Sequence, residues 1–172
     1  SLLSRAKALE PKLKVWVTLD NHSVLEQANA REYDLKQNVA PGHLHGVPIG
    51  IKDIFYTKDT RTTACSPLYE NFIPDFDSTA VTLLKNDGAI IMGKTVTTEW
   101  ACNDPPPTLN PWDANHSPGG SSSGSAVGVA ARIFPGALGS QTAGSVIRPA
   151  AYNGIIGLKP SFGLISRYGV FP

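Results

Sequence analysis

This sequence of 172 residues contains few cysteines and carries almost no net charge. Only two cysteines occur, Cys65 and Cys102, which argues against a disulfide framework and fits reduced thiols in a cytoplasmic protein. The 15 basic and 14 acidic side chains leave a net charge of +1, so composition gives no electrostatic reason to expect nucleic acid or an anionic membrane as a partner. No apolar run approaches the roughly 18 residues of a transmembrane helix, and no signal peptide is recognisable.

What is present is an ordinary globular composition in which helical and strand patterns alternate, which favours an α/β domain. Pro11 is expected to end the first helix, and a further helix is expected to begin after Ser145, with Pro149 in its first turn. Loops rich in proline or glycine are predicted at residues 39–45 and 103–118. The predicted helices cover residues 1–9, 22–38 and 78–86, with a helical run at AVGVAARI, and the predicted strands cover residues 13–19, 46–53, 89–92 and 154–159.

Two motifs suggest other chemistry but lack the local structure that it requires. The segment GAIIMGKT at 88–95 matches the phosphate-loop pattern, yet its Ala, Ile, Ile and Met residues are typical of a buried strand, predicted to end at Lys94. The segment GSSSG at 120–124 places Ser122 in a GxSxG pattern, but no strand precedes it and no histidine follows it. A nucleotide site is therefore disfavoured, and a nucleophile elbow at Ser122 stays a minor alternative.

The four histidines and the run GGSSSGS could suggest a metal site and a flexible linker, respectively. His43 and His45 are two residues apart in a loop, His22 and His116 are distant, and no cysteine or carboxylate cluster completes a metal site, so structural or surface roles are predicted for all four. The run GGSSSGS could be a flexible linker. It leads directly into an apolar helical run, however, which favours a place inside the domain.

Nucleophilic chemistry is the alternative that the small residues around Ser145 favour. A serine hydroxyl needs a base, and a lysine can serve if burial keeps it neutral. Lys52 follows an apolar strand, which would lower its pKa, although an ion pair with Asp53 or another acid is the simpler interpretation of Lys52 alone. The backbone N–H groups of residues 142–145 could converge on an oxyanion, and a serine from GGSSSGS could lie between base and nucleophile.

These segments together resemble the amidase signature family. The matching stretches are GVPIGIKDIF, GAIIMGKTVTTEWA, SPGGSSSGSAVGVAA and GSQTAGSVIRPAAYNGIIGLKPSFG, in the family's order and spacing over nearly the whole chain. The resemblance implies a mixed β-sheet core flanked by helices. It also implies a Ser–cis-Ser–Lys triad, with Lys52 as base, Ser121 as relay on a cis peptide and Ser145 as nucleophile.

Further expectations follow from the same resemblance. The backbone amides of Thr142, Ala143, Gly144 and Ser145 would form the oxyanion hole, and neither a metal nor another cofactor is implied. The reaction would acylate Ser145, release ammonia or an amine, and end in hydrolysis. The partner would be a small-molecule amide; a homo-oligomer is left open.

Two alternatives within the same fold remain open: the A-type subunit of a tRNA-dependent glutamine amidotransferase, and an inactive binding or assembly fragment. Many family members read DTGGSIR where this chain reads QTAGSVIR, which favours a stand-alone amidase over the amidotransferase. Family members are usually far longer. Residues 1–172 are therefore expected to be a single catalytic domain that is incomplete at its C-terminus.

Overall fold

The computed structural model describes residues 1–102 and 105–172, so the first two residues of the predicted loop 103–118 lie outside the described residues. Helices and strands alternate along the chain, as their patterns predict. The helices are α1 (Leu2–Leu13), α2 (Asn21–Lys36), α3 (Thr79–Asn86), α4 (Ser123–Ala130) and α5 (Ile147–Asn153), and the strands are β1 (Trp16–Leu19), β2 (Pro48–Lys52), β3 (Ile90–Thr95) and β4 (Gly136–Leu138). Short 3₁₀ turns occupy Pro67–Tyr69 and Glu99–Ala101.

The four strands form one mixed sheet in the order β1-β3-β2-β4. Strand β2 is parallel to both β3 and β4, whereas β1 is antiparallel to β3. Lys52, the last residue of β2, is in register with Thr95, the last residue of β3. Parallel strands end at the same edge of a sheet, so the residues that follow β2, β3 and β4 meet there.

Apolar layers cover both faces of the sheet. Ile90 and Met92 belong to a cluster that includes residues of α1, α2 and α4, whereas Ile91 belongs to a second cluster that includes residues of α3. Successive strand residues point to opposite faces, which explains why neighbours in β3 lie in different clusters. The predicted fold class, a mixed sheet flanked by helices, is confirmed.

The prediction that Pro11 ends the first helix is wrong, because α1 continues through it to Leu13. Proline removes one N–H donor from a helix, so Pro11 leaves the Lys7 carbonyl without its usual donor; both residues are exposed, where water can take the place of that donor. The helix ends instead at Lys14, which is left-handed at φ 52°. The Glu10 carboxylate then accepts hydrogen bonds from the N–H groups of Val15 and Trp16, which ties the helix end to β1.

The predicted strand at 154–159 is also wrong, since this segment has no regular structure and leaves Ile156 96% exposed. Gly154 closes α5 in a left-handed conformation, and the Ile155 N–H donates to the Ala150 carbonyl, so the chain turns back across the helix instead of joining the sheet. The position beside β2 is taken by β4, a strand of three residues too short for an alternating pattern to predict.

In the described part of the chain, no helix combines the length and the apolar character that crossing a bilayer requires.

Gly124 at the start of α4 packs against backbone at the end of the sheet. A Cβ atom there would lie 2.5 Å from both the Val15 carbonyl oxygen and the Val96 nitrogen. We expect Gly124→Ala to lower the free energy of unfolding by about 1–3 kcal/mol, because backbone cannot move aside as a side chain can. The better helix propensity of alanine, worth at most about 1 kcal/mol, would not offset this strain.

Denaturant unfolding of the full-length gene product measures the effect. Gly136→Ala is the matched control, since its new Cβ would meet nothing closer than Ile49 Cδ1 at 3.5 Å, an ordinary contact. Equal stability of the two variants would contradict the packing argument.

Candidate active site

Lys52 is fully buried at the end of β2, between its two neighbouring strands. Its Nζ atom lies 2.7 Å from Ser121 Oγ and 2.7 Å from Ser140 Oγ. Burial lowers the pKa of Lys52 to about 7, and a smaller electrostatic effect of the Cys65 thiol opposes this shift. A lysine in this state is an effective base near neutral pH.

Asp53 does not pair with Lys52, so the simpler interpretation of Lys52 as an ion-pair partner of its neighbour is wrong. Lys94 Nζ lies 3.6 Å from Asp53 Oδ1 instead, and both side chains are fully buried. Thr63 donates to Asp53 Oδ2 through both its N–H and its hydroxyl. Burial raises the pKa of Asp53 and lowers the pKa of Lys94 to about 8. The Asp53–Lys94 pair thus leaves Lys52 to contact the serines.

Ser121 lies in the GGSSSGS segment, directly before α4. The Gly120–Ser121 peptide bond is cis. The Ser121 carbonyl accepts hydrogen bonds from the N–H groups of Thr98, at 3.2 Å, and Ser123, at 2.9 Å. The segment is therefore an ordered part of the domain that anchors the buried Ser121 side chain, which excludes the linker interpretation.

Ser145 lies in the loop between β4 and α5 and is half-buried. Its carbonyl accepts a hydrogen bond of 3.2 Å from the N–H of Ser122. Ser145 and Ser121 line one cavity of about 490 Å³. Other residues that line this cavity include Thr98, Gly119, Gly120, Arg148 and Tyr152. The structure thus brings the three residues of the predicted triad to one place.

The backbone of residues 142–145 is held by the side chain that precedes it. Gln141 Oε1 accepts hydrogen bonds from the N–H groups of Val146 and Ile147, and Gln141 Nε2 donates to the Ala143 carbonyl. Across residues 1–102 and 105–172, no hydrogen bond is donated by the N–H groups of residues 142–145. These four donors are therefore unengaged by the described protein groups.

The competing motifs have structural explanations. The segment 88–95 contributes β3, whose six residues are all buried in the sheet, and the strand extends one residue beyond the predicted end at Lys94. Ser122 precedes α4 and follows no strand. His45 contacts the Arg31 carbonyl and His116 contacts Asp113. In the described ranges, no three His, Cys, Asp or Glu side chains come together as metal ligands would.

Ser140 is the contact of Lys52 that sequence reasoning missed. It lies in the quoted segment GSQTAGS, where it carries no motif signal of its own. The signal that could have located it is β4, because a strand at Gly136–Leu138 parallel to β2 brings residue 140 to the end of β2.

Comparison with known proteins shows which family the chain resembles. The family model described as Amidase matches residues 1–172. The chain belongs to the amidase family. The resemblance inferred from the four sequence segments is thereby confirmed.

Relatives of this amidase-family chain include proteins with different names. The A-type subunit of the glutamyl-tRNA(Gln) amidotransferase of Sulfurihydrogenibium sp. is 43% identical over 176 residues, which cover 99% of this chain and 36% of that protein. The same subunit of Heliobacterium modesticaldum is 45% identical over 172 residues, which cover 96% and 35%. The native peptide amidase of Stenotrophomonas maltophilia superimposes with a TM-score of 0.94 at 39% identity, covering 99% of this chain and 38% of that one. The chain spans just over a third of these relatives.

Proposed function

We propose that the protein is a serine amidase that cleaves a carboxamide C–N bond through an acyl-enzyme on Ser145. The observation that carries the proposal is the hydrogen bond of 2.7 Å between Lys52 Nζ and Ser121 Oγ. It joins a buried base to a hydroxyl that shares a cavity with Ser145. The order of contacts, from lysine to relay serine to cavity, is what a two-step proton transfer needs.

Acylation begins with Lys52 in its neutral form. Its amine takes the proton of Ser121 Oγ, and Ser121 Oγ takes the proton of Ser145 Oγ, which bonds to the amide carbonyl carbon. The carbonyl oxygen becomes an oxyanion, for which the N–H groups of residues 142–145 are the proposed donors. The protonated Lys52 returns its proton through Ser121 to the leaving nitrogen, the C–N bond breaks, and ammonia or an amine leaves.

Deacylation uses the same groups with water in place of Ser145. Water gives a proton to Ser121 Oγ, whose own proton passes to Lys52, as the water oxygen attacks the acyl carbon; Lys52 then returns a proton through Ser121 to Ser145 Oγ as the ester bond breaks. A carboxylic acid is released and the free enzyme is restored. Because the groups on this route meet at one edge of one sheet, we also propose that residues 1–172 belong to a single catalytic domain.

Covalent labelling of the full-length gene product tests this proposal. A fluorophosphonate reacts with an activated serine, and we expect peptide mapping to place the label on Ser145, with no label in Ser145→Ala. A screen of amides and ureas should then give turnover in the wild type alone. A label on another serine, or labelling that survives in the variant, would overturn the assignment.

A second candidate function is the A-type subunit of a glutamine-dependent amidotransferase. The observation that favours it is the identity of 42–45% to proteins of that name. This alternative predicts ammonia release from glutamine, and amide transfer only when partner subunits are added. Hydrolysis of non-glutamine amides by the isolated protein favours the amidase. Absence of turnover with retained ligand binding would favour an inactive assembly protein instead.

A further inference from the structure

Ser140 lies two residues beyond β4, at the sheet edge where Lys52 lies. Strand β4 is parallel to β2, with Leu138 in register with Ile51, so the two chains leave the sheet side by side. As a result, Lys52 Nζ lies 2.7 Å from Ser140 Oγ and 3.5 Å from the Ser140 carbonyl oxygen. One residue thus supplies two of the three oxygen atoms that Lys52 Nζ contacts in the described part of the chain.

The bonding geometry of the lysine nitrogen determines which of these contacts involve an N–H bond and which involves the lone pair. A neutral amine has two N–H bonds and one lone pair beside its bond to Cε. The carbonyl oxygen of Ser140 can only accept, so an N–H bond must point to it. The mechanism needs the lone pair to face the Ser121 hydroxyl. If Ser140 Oγ accepts the second N–H, the lone pair is left for Ser121.

We infer that Ser140 is a positioning residue that holds both N–H bonds of Lys52, so that the amine lone pair faces Ser121. This inference rests on the proposed function, since it assigns Ser140 a role in the same proton transfer. Ser140 also stabilises the protonated form of Lys52 that follows, because its two oxygens accept from the ammonium as well.

Ser140 is itself held in place by the residue next to the relay serine. The Ser122 hydroxyl donates to the Ser140 carbonyl at 3.2 Å and accepts from the Ser140 N–H at 3.2 Å. The Ser122 N–H in turn donates to the Ser145 carbonyl. These bonds fix the distance between the loop that orients the base and the segment that carries the relay, so Ser140 is placed rigidly enough to direct an N–H bond.

Substitution at Ser140 in the full-length gene product tests the inference. We expect Ser140→Ala to lower kcat by about tenfold to a hundredfold with little change in KM, since the Ser140 hydroxyl contacts Lys52 and Ser140 is not among the described residues that line the cavity. Ser140→Thr, which keeps a hydroxyl, should restore most of kcat. Ser140→Cys keeps a side chain of similar volume but offers only a weak hydrogen-bond acceptor, so its kcat should fall as in Ser140→Ala. It therefore tests the inference even if the alanine variant folds poorly.

The pH profile separates this role from a loss of stability. Losing an acceptor destabilises the ammonium more than the neutral amine, so the acid limb of kcat should move to lower pH by roughly one unit in Ser140→Ala. Cys65, the titratable group that affects the pKa of Lys52, is unchanged in every variant, and burial raises its own pKa to about 11, so its thiol stays neutral across the acid limb. Ser125→Ala is the matched control: its buried hydroxyl bonds the Leu138 carbonyl and Thr95, not Lys52, so its acid limb should stay in place.

The outcomes distinguish this inference from the function on which it rests. An acid limb and a kcat equal to those of the wild type in both Ser140→Ala and Ser140→Cys would overturn the role of Ser140. If Ser145→Ala is inactive in the same assay, the proposed function stands in that case. Turnover that survives in Ser145→Ala would overturn the proposed function, and the role of Ser140 with it.

Discussion

Replacing Ser145 with alanine is expected to reduce kcat on an amide substrate by about 10⁴- to 10⁶-fold. Without the hydroxyl no acyl-enzyme forms, and Lys52 and Ser121 have no nucleophile to activate. The residual rate would come from the cavity and from the N–H groups of residues 142–145, which the substitution leaves intact. Because Ser145 is half-buried and its hydroxyl makes no hydrogen bond within the described residues, thermal stability should change little.

The matched control is Ser123→Ala, in the segment that also contains the relay serine. The Ser123 hydroxyl donates to the Val96 carbonyl at 3.3 Å and contacts neither Lys52 nor Ser145. We expect this variant to lose some stability and to keep its kcat per folded molecule. If Ser145→Ala keeps wild-type turnover, Ser145 is not the nucleophile, and the label position then identifies which serine is.

Replacing Lys52 with methionine is expected to lower kcat by about 10²- to 10⁴-fold, the usual contribution of a positioned general base. Methionine fills a similar volume in an apolar site, so the sheet should remain intact. Ser145 should still react slowly with a fluorophosphonate, because the hydroxyl is present but not activated. The measurement is kcat and the labelling rate of the full-length gene product, compared with the wild type.

A second buried lysine provides the control for Lys52→Met. Lys94 Nζ donates to the Phe55 carbonyl and to Thr62, and it contacts neither of the triad serines. Lys94→Met removes the partner of the buried Asp53 carboxyl, which should lower the free energy of unfolding by about 3–5 kcal/mol. Its kcat per folded molecule should nevertheless exceed that of Lys52→Met by a wide margin. Equal losses of kcat per folded molecule in Lys94→Met and Lys52→Met would contradict the assignment of Lys52 as base, because both losses would then be explained by damage to the fold.

The pH dependence of the wild type has a defined sign. The pKa of Lys52 is lowered to about 7 because burial disfavours the ammonium, and the base is the neutral form. Below pH 7 the amine is protonated and kcat should be low; above pH 7 it should rise to a plateau. Lys52→Met should lack this limb. A wild-type kcat that falls as pH rises through 7 would contradict the assignment of Lys52 as base.

Sequence reasoning succeeded where the signal was a strong local pattern. The apolar run before Lys52 predicted a buried strand over 46–53 whose C-terminal end carries this lysine, and β2 spans Pro48–Lys52. The family resemblance assigned Ser121 and Ser145 to one triad; both line one cavity, and their catalytic roles stay predictions. These predictions depend on residues whose burial and backbone shape are dictated by their immediate neighbours in the chain.

It failed where tertiary contacts decide the structure. An apolar run such as 154–159 cannot report whether a strand is free to pair with it, and here β4 already pairs with β2. The helix runs past Pro11 to Leu13, and its end is held against β1 by the contacts of Glu10 with the N–H groups of Val15 and Trp16, which no local sequence pattern reports. Ser140 has no motif, and only its distance from Lys52 across two strands gives it a role.

The site joins three stretches of chain that are far apart in sequence: the end of β2, the turn before α4 and the loop after β4. Pairing between strands is what aligns the first with the third, and the Ser122 contacts tie the second to the third. No single stretch can therefore retain its catalytic geometry once the sheet opens. A measurement of catalysis on this protein would then also be a measurement of its tertiary structure, since any partly unfolded form that has lost the pairing of β2 with β4 would be catalytically silent.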